Sequence, residues 1–183
     1  MKYSVIILFL FFVFVGCKDE VLPKPKAMLR LDFPNANYNQ SVTKNFVFDL
    51  NQTAILKRQN DNGYTIDYPL MKGSIYLTYK SVNTNLETLL TDAQKLSYEH
   101  AVKADNIVEQ PFINEDKKVY GMFYEITGNA ASQSQFYATD SLNHFVTGSL
   151  YFYARPNYDS ILPAAVYLQN DIRKIMESLE WKN

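Results

Sequence analysis

The chain contains one cysteine, Cys17, and its place at the end of a hydrophobic segment constrains the fold more than any other feature. Val5 to Val15 is an unbroken apolar run. It is too short for the roughly 20 residues that a membrane-spanning helix needs, but it fits the core of a signal peptide. A single cysteine cannot form an internal disulfide, so its presence in an exported protein needs another explanation.

The Gly16-Cys17 pair that follows the apolar run is typical of bacterial lipoproteins. Their signal peptidase needs a small residue before the cut and a thiol that carries the lipid. We therefore predict a lipoprotein signal peptide over residues 1–16 and lipidation, with palmitate among the acyl chains, at Cys17. Two alternatives are a secreted protein with a free thiol and an uncleaved anchor helix. The second is disfavoured because charges begin at Lys18.

Composition describes the part of the chain that remains after cleavage. From Cys17 onward it holds 17 Lys and Arg against 19 Asp and Glu, a net charge near −2. This balance argues against a nucleic-acid surface or a polybasic membrane patch. The chain is rich in Tyr and Phe and poor in Gly, which favours a sheet with aromatic faces. We predict a lipidated tether over residues 17–45 and a single α+β domain over residues 46–183.

The predicted tether contains a proline-rich motif with apolar side chains. Pro23 and Pro25 fix an extended backbone, and residues 35–45 are rich in asparagine and read as a loop. A plain spacer would not expose four large apolar side chains to water. We therefore predict that the segment docks on its own domain or on a partner, through Lys24, Lys26, Met28, Leu29, Arg30, Leu31 and Phe33.

Alternating apolar and polar residues predict a series of strands after residue 45. The links between the later strands are short and turn-like, which favours antiparallel neighbours. Asn60-Asp61-Asn62-Gly63 is a strong turn signal between two of the earlier strands. The predicted strands cover residues 46–48, 55–59, 64–68, 72–82, 107–113, 118–127, 133–139 and 145–154.

Two helices complete the pattern. Thr84 and Glu87 have the spacing of a capping box, and apolar residues then recur at three- and four-residue steps as far as Ala104. A closing helix is predicted from an N-cap at Ser160 to Leu179. The fold class is therefore α+β, an antiparallel sheet with one helix on each face or both on one face. The arrangement resembles the Mog1/PsbP-type α/β/α sandwich, a likeness that concerns the fold alone.

The residues that could carry chemistry are few. His100 lies on an apolar helical stripe, where a partly buried ring is favoured over a general base. Asp140, Ser141 and His144 could form a triad, but four-residue turns are commonly built from such residues. The chain lacks a ligand pattern such as His-x-x-x-His and a glycine-rich phosphate loop. We expect no enzymatic activity, no metal and no cofactor.

The motif from Leu22 to Pro34, with Pro-Lys-Pro-Lys followed by Leu-Arg-Leu-Asp-Phe-Pro, resembles the GldD family of gliding-motility lipoproteins of Bacteroidota. The chain length, the lipidation sequence, the central helix and the segments Gln135 to Ser141 and His144-Phe145 also fit the family. Met28 is a mild departure, because an aromatic or other large residue is expected there.

The resemblance implies a non-enzymatic envelope component required for gliding and for the associated type IX protein secretion system. It brings no established catalytic or ligand residues. The first hypothesis is an assembly lipoprotein that acts by protein contacts with other gliding and secretion proteins. The second is a periplasmic small-ligand or peptide-binding lipoprotein, and an envelope hydrolase is the third.

The residues after Cys17 bear on where the lipid is anchored. Lys18 is not the aspartate that commonly retains a lipoprotein in the inner membrane, which favours the outer membrane. Asp19-Glu20 is reminiscent of acidic tags for surface export in this phylum. We expect an outer-membrane lipoprotein that faces the periplasm, with surface exposure as the alternative.

Overall fold

The structure, a computed structural model, describes residues 33–99, 103–153 and 158–182. Within these ranges the chain forms two α-helices, α1 (Leu86–Glu99) and α2 (Tyr158–Ser178), and one 3-10 turn (Pro69–Met71). The strands are β1 (Tyr38–Val42), β2 (Phe46–Asn51), β3 (Ile55–Arg58), β4 (Gly63–Tyr68), β5 (Gly73–Ser81), β6 (Ala104–Asn114), β7 (Val119–Gly128), β8 (Ser134–Thr139), β9 (His144–Phe152) and β10 (Glu180–Trp181).

Two antiparallel sheets are formed by these strands. The larger has seven strands in the order β3-β4-β5-β9-β8-β7-β6, and the smaller has three in the order β1-β2-β10. Every described pair is antiparallel. The α+β class and the antiparallel sheet covered by helices are therefore confirmed, whereas the second, smaller sheet was not predicted.

The helices lie on opposite faces of the seven-stranded sheet. Successive side chains of a strand point to opposite faces, so Phe145 and Val146 of β9 mark the two sides. Phe145 packs with Leu89 of α1, and Val146 belongs to the main core together with Leu168 of α2. Phe46 and Phe48 of β2 lie in that same main core, which places the small sheet on the α2 side. The layers are thus α1, the large sheet, and then α2 with the small sheet.

Strand β1 lies in a stretch that was predicted to be a loop. Its sequence, Tyr-Asn-Gln-Ser-Val, is mostly polar, and it forms an edge of the small sheet with most of its side chains at least partly exposed. Five residue pairs join it to β2, from Tyr38 opposite Asn51 to Val42 opposite Val47. The loop prediction was wrong here because backbone pairing with β2 outweighs the weak strand propensity of asparagine.

The predicted start of α1 also needs correction. Thr84 has a φ of 58°, and its hydroxyl donates to the carbonyl of the preceding Asn83 at 2.6 Å. No hydrogen bond joins the Thr84 side chain to the amide of Glu87, both of which lie in the described ranges, so the capping box is not formed. The helix begins instead at Leu86, with Asn85 accepting its first backbone hydrogen bond from Leu89.

The predicted end of α1 extended too far, because Ala104 is the first residue of β6. The pairing of β6 with β7 is shifted between Ala104 and Asn106, so Asp105 forms a bulge. Gly128 faces this bulge with a φ of 93°, and a Cβ there would lie 2.6 Å from the Asp105 backbone nitrogen. A local bulge of this kind breaks the two-residue alternation that identifies a strand, which explains the error.

Helix α2 begins at Tyr158, two residues before the predicted N-cap at Ser160. Pro163 is consequently inside the helix. Neither of the two α-helices in the described residues is both long and apolar enough to cross a membrane.

Candidate functional site

Most of the predicted interaction motif precedes the described part of the chain. Cys17 and residues 24–31 lie outside it, as does His100, so their predicted roles stay predictions. Phe33, the last apolar residue of the motif, is the exception. It is the point at which the predicted tether can be located on the fold.

The Phe33 side chain packs against the domain. Its ring centroid lies 5.4 Å from that of Tyr167 on α2, with the rings tilted by 55°, and the side chain is half-buried at the margin of the main core. An exposed spacer would leave such a ring in water, where burial is favoured by about 25 cal/mol per Å² of apolar surface. The C-terminal end of the motif therefore docks on its own domain.

A buried polar cluster lies next to this contact. The carboxylate of Asp171, only 1% exposed, accepts the Tyr38 hydroxyl at 2.6 Å and the Asn51 side-chain amide at 2.7 Å. The same Asn51 amide donates to the Tyr167 hydroxyl at 3.0 Å. The Tyr68 hydroxyl is close to the carboxylate but lacks a hydrogen bond of normal geometry. The cluster thus joins β1, β2 and α2.

The electrostatics of this cluster follow from its burial. Desolvation raises the pKa of Asp171 above the usual range of a carboxyl, against the opposing effect of the donors from Tyr38 and Asn51. Burial and the nearby Asp171 likewise raise the pKa of Tyr38 and of Tyr68. The Asp171 carboxyl is enclosed by its own domain, so its role is to hold the N-terminal strand on α2.

The candidate triad residues are found together, but in a different role. One carboxylate oxygen of Asp140 accepts the backbone amides of Leu142, Asn143 and His144 at 2.8–3.0 Å. Burial alone would raise the pKa of Asp140, but these amides and His144 hold it below its usual range. Ser141 has a φ of 67° at the tip of the turn. The Asp140 carboxylate thus stabilises the β8–β9 turn, which agrees with the turn that the sequence favoured over a triad.

His144 lines a cleft beside this turn. Its ring stacks on Trp181 of β10 with centroids 5.1 Å apart and planes within 7°, and its Nδ1 lies 2.9 Å from the Tyr79 hydroxyl. The Trp181 indole donates to the Lys118 carbonyl at 2.9 Å. The cleft has a volume of about 430 Å³, and charged side chains form much of its wall: Asp116, Lys117, Lys118, Asp140 and Glu180.

The charges of the cleft are partly paired with one another. Lys117 and Glu180, which both line the cleft, form an ion pair of 2.7 Å. The His144–Trp181 stack forms its aromatic wall. Across residues 33–99, 103–153 and 158–182, no three His, Cys, Asp or Glu side chains converge as a metal site would require.

Sequence reasoning missed Asp171 and Trp181. The signal for Asp171 was available, because it is an ionisable residue between Leu168 and Ile172 on the buried face of α2. A charged group in an apolar helical stripe indicates a buried polar contact. Its partners Tyr38 and Asn51 were not predictable, since each is more than a hundred residues away in the chain.

Comparison with known proteins identifies the family. The family model for the gliding motility lipoprotein GldD matches residues 18–181, nearly all of the chain after the predicted signal peptide. The match includes the proline-rich motif, the docked Phe33, the Asp171 cluster and the cleft. No curated protein matches the chain. The chain therefore belongs to the GldD family of gliding motility lipoproteins.

Proposed function

We propose that this lipoprotein serves gliding and the associated type IX secretion as a non-enzymatic component that works by protein contacts. In this proposal Cys17 carries the lipid, and the domain lies on the periplasmic side of the outer membrane. The observation that carries it is the family match, which spans both the motif and the folded domain. The other gliding and secretion proteins of the envelope are the expected partners.

The docking of Phe33 supports the motif as a contact surface. Leu31 is two residues from Phe33, and an extended chain rises at most about 3.6 Å per residue, so Leu31 is within roughly 7 Å of the Phe33 position. The same reach brings Leu29 within roughly 14 Å. We expect a partner to meet the motif and α2 together, near the contact of Phe33 with Tyr167.

The chemistry of the described residues supports a role without catalysis. Asp140 is bound to the backbone of its own turn, and Asp171 is enclosed between β1, β2 and α2. Asp67 bonds Lys57 and Ser74. A general acid or base must reach a proton on a bound substrate, and these carboxylates are occupied by structural partners.

The test is substitution within the motif. We expect the double variant Leu29→Ser with Leu31→Ser to keep the thermal stability of the wild type but to lose gliding and co-purification with envelope partners. Phe33→Ala should instead lower the free energy of unfolding by about 1–2 kcal/mol, because the half-buried ring leaves the core margin. Melting curves, gliding assays and affinity isolation with mass spectrometry measure the three properties.

Ile113→Ser is the matched control for the motif variants. It changes an apolar residue that is 68% exposed at the far edge strand β6. Stability, gliding and co-purification should all stay at the wild-type level. If the Leu29/Leu31 double variant also melts, glides and co-purifies like the wild type, the motif is a spacer and the proposed contact is wrong.

A second candidate function, binding of a small ligand or peptide, is favoured by the His144–Trp181 cleft. Trp181 is the only tryptophan of the chain, so its fluorescence reports directly on this cleft. Under the main proposal, His144→Ala changes the Trp181 emission through loss of the stack, yet cells glide and secrete at the wild-type rate. Loss of gliding or secretion at normal protein abundance would instead favour the ligand-binding function.

A further inference from the structure

Three tyrosines form an aromatic surface on the large sheet. On the face of the large sheet that α1 covers, the helix packs over Phe145 and Tyr137. The residues of β4, β5 and the end of β9 that point to the same face lie outside this contact. Tyr76 is 38% exposed there, and Tyr153 is 66% exposed. We call the rings of Tyr76, Tyr151 and Tyr153, with the underlying Asp67 and Ser74, the tyrosine face.

The Tyr153 ring is exposed but held in place. Its hydroxyl donates to the Asp67 carboxylate at 3.2 Å and lies 2.6 Å from the hydroxyl of Ser74, which is fully buried and also donates to Asp67. An exposed tyrosine without such contacts would move among rotamers. Fixing the ring before binding reduces the entropy that a ligand must overcome, which is the usual benefit of preorganisation.

The other two rings extend this platform. Tyr76 and Tyr151 are neighbours on β5 and β9, with ring centroids 5.7 Å apart and planes at 71°. A hydrogen bond with the Tyr153 hydroxyl, together with burial, raises the pKa of Tyr76 to about 12. The Tyr76 hydroxyl is thus linked to that of Tyr153, and a tyrosine hydroxyl can both donate and accept hydrogen bonds.

The tyrosine face carries no net charge. Asp67, its acidic residue, is paired with the Lys57 ammonium on the adjacent strand β3. Ser74, Thr65 and Ser149 of the surrounding sheet are uncharged as well, and all three are buried. Such a surface gives no electrostatic advantage to a nucleic acid, an acidic polymer or a charged peptide. It combines flat apolar rings with neutral hydroxyls.

From these observations we infer that the tyrosine face binds an uncharged oligosaccharide. A sugar ring presents C–H groups on its faces and hydroxyls around its edge, so it complements both the rings and the hydroxyls of this surface. Tyrosine supplies large contact area at a small conformational cost, because it has only two side-chain torsions. A protein partner is a weaker fit, since standard interfaces bury about 800 Å² on each side and this platform consists of three rings.

The test is titration of the full-length protein in detergent with defined neutral hexasaccharides. The probes are hexamers of glucose in β-1,4 and α-1,4 linkage and of N-acetylglucosamine, with binding measured by calorimetry. We expect at least one hexamer to bind the wild type, and Tyr153→Ala and Tyr76→Ala each to weaken that binding by about tenfold or more. Tyr153→Phe, which keeps the ring but loses its anchor, should weaken binding by a smaller factor.

Tyr98→Ala is the matched control. Tyr98 is also an exposed tyrosine with its hydroxyl bound to a carboxylate, at 2.6 Å from Glu109, but it lies on α1 over the opposite edge of the sheet. The Tyr98→Ala variant should bind the hexamer like the wild type, and circular dichroism should show that all variants are folded equally. The inference would be overturned if none of the three hexamers bound. It would also be overturned if binding were unchanged in the folded Tyr153→Ala and Tyr76→Ala variants, or if these variants lost a peptide partner instead.

Discussion

At the scale of single residues, Asp171 shows how a polar group can specify a fold from inside the core. A carboxylate transferred from water into a protein interior is disfavoured unless it is hydrogen-bonded. Here the compensating donors come from Tyr38 and Asn51, so the carboxylate selects one position of β1 on α2. An apolar side chain at position 171 would stabilise several neighbouring positions of β1 on α2 almost equally well.

This burial has a consequence for stability as a function of pH. The pKa of Asp171 is raised in the folded state above the ordinary value of 3.8. The folded state therefore holds this proton more tightly, and the resulting stabilisation is complete below pH 3.8 and is lost as the pH rises through the folded-state pKa. Asp171→Asn removes this ionisation while keeping the shape of the side chain.

We predict that the stability difference between the wild type and Asp171→Asn changes with pH. As the pH rises from about 4, the free energy of unfolding of the wild type should fall relative to that of the variant. Urea unfolding of both proteins at a series of pH values measures this difference, and other titrating groups cancel because the two proteins share them. A difference that is constant with pH would show that Asp171 ionises as readily in the folded state as in the unfolded chain.

At the scale of secondary structure, the sequence predicted most of the large sheet because its strands follow simple rules. Ile75, Leu77 and Tyr79 are every second residue of the strand predicted over residues 72–82, and all three are buried in the main core. The turns between β6 and β9 are short, and the strands that they join are antiparallel neighbours. Both signals are local, so a single sequence carries them.

The errors at this scale share a different cause. Strand β1 exists because β2 is beside it, and the start of α1 depends on the positive φ of Thr84. Neither feature is encoded by the local pattern of apolar residues. The same holds for the candidate site. The motif that includes Phe33 was recognisable in the sequence, but the contact of Phe33 with Tyr167 depends on where α2 packs in the fold.

At the scale of the whole molecule, the length of chain between the predicted lipid anchor and the domain limits how far apart the two can be. Only 15 residues separate Cys17 from the docked Phe33. Even fully extended, they span at most about 55 Å. The predicted anchor would therefore confine the domain close to the membrane that holds the lipid, and we expect its partners among proteins that are also near that membrane.

This arrangement depends on lipidation of Cys17, which can be tested directly. Cys17→Ala should leave either an unacylated precursor held by its signal peptide or a form released from the membrane, since the thiol that carries the lipid is absent. Labelling of cells with palmitate, followed by fractionation, measures both outcomes. Lys18→Ala, which keeps the Gly16-Cys17 pair, should be labelled like the wild type. Equal labelling of Cys17→Ala would refute lipidation at this residue.

The Phe33 and Tyr38 contacts have a mechanical consequence for a protein tethered at one end. A pulling force on the predicted anchor would enter the domain at Phe33 and then reach Asn37, whose carbonyl accepts the Gln52 amide at 2.8 Å, and Tyr38. The side chains of Phe33 and Tyr38 are fastened to α2, which is itself packed across the main core. The load would therefore be shared between α2 and the pairing of β1 with β2, and the Phe33 and Tyr38 side chains would resist unravelling of this small strand.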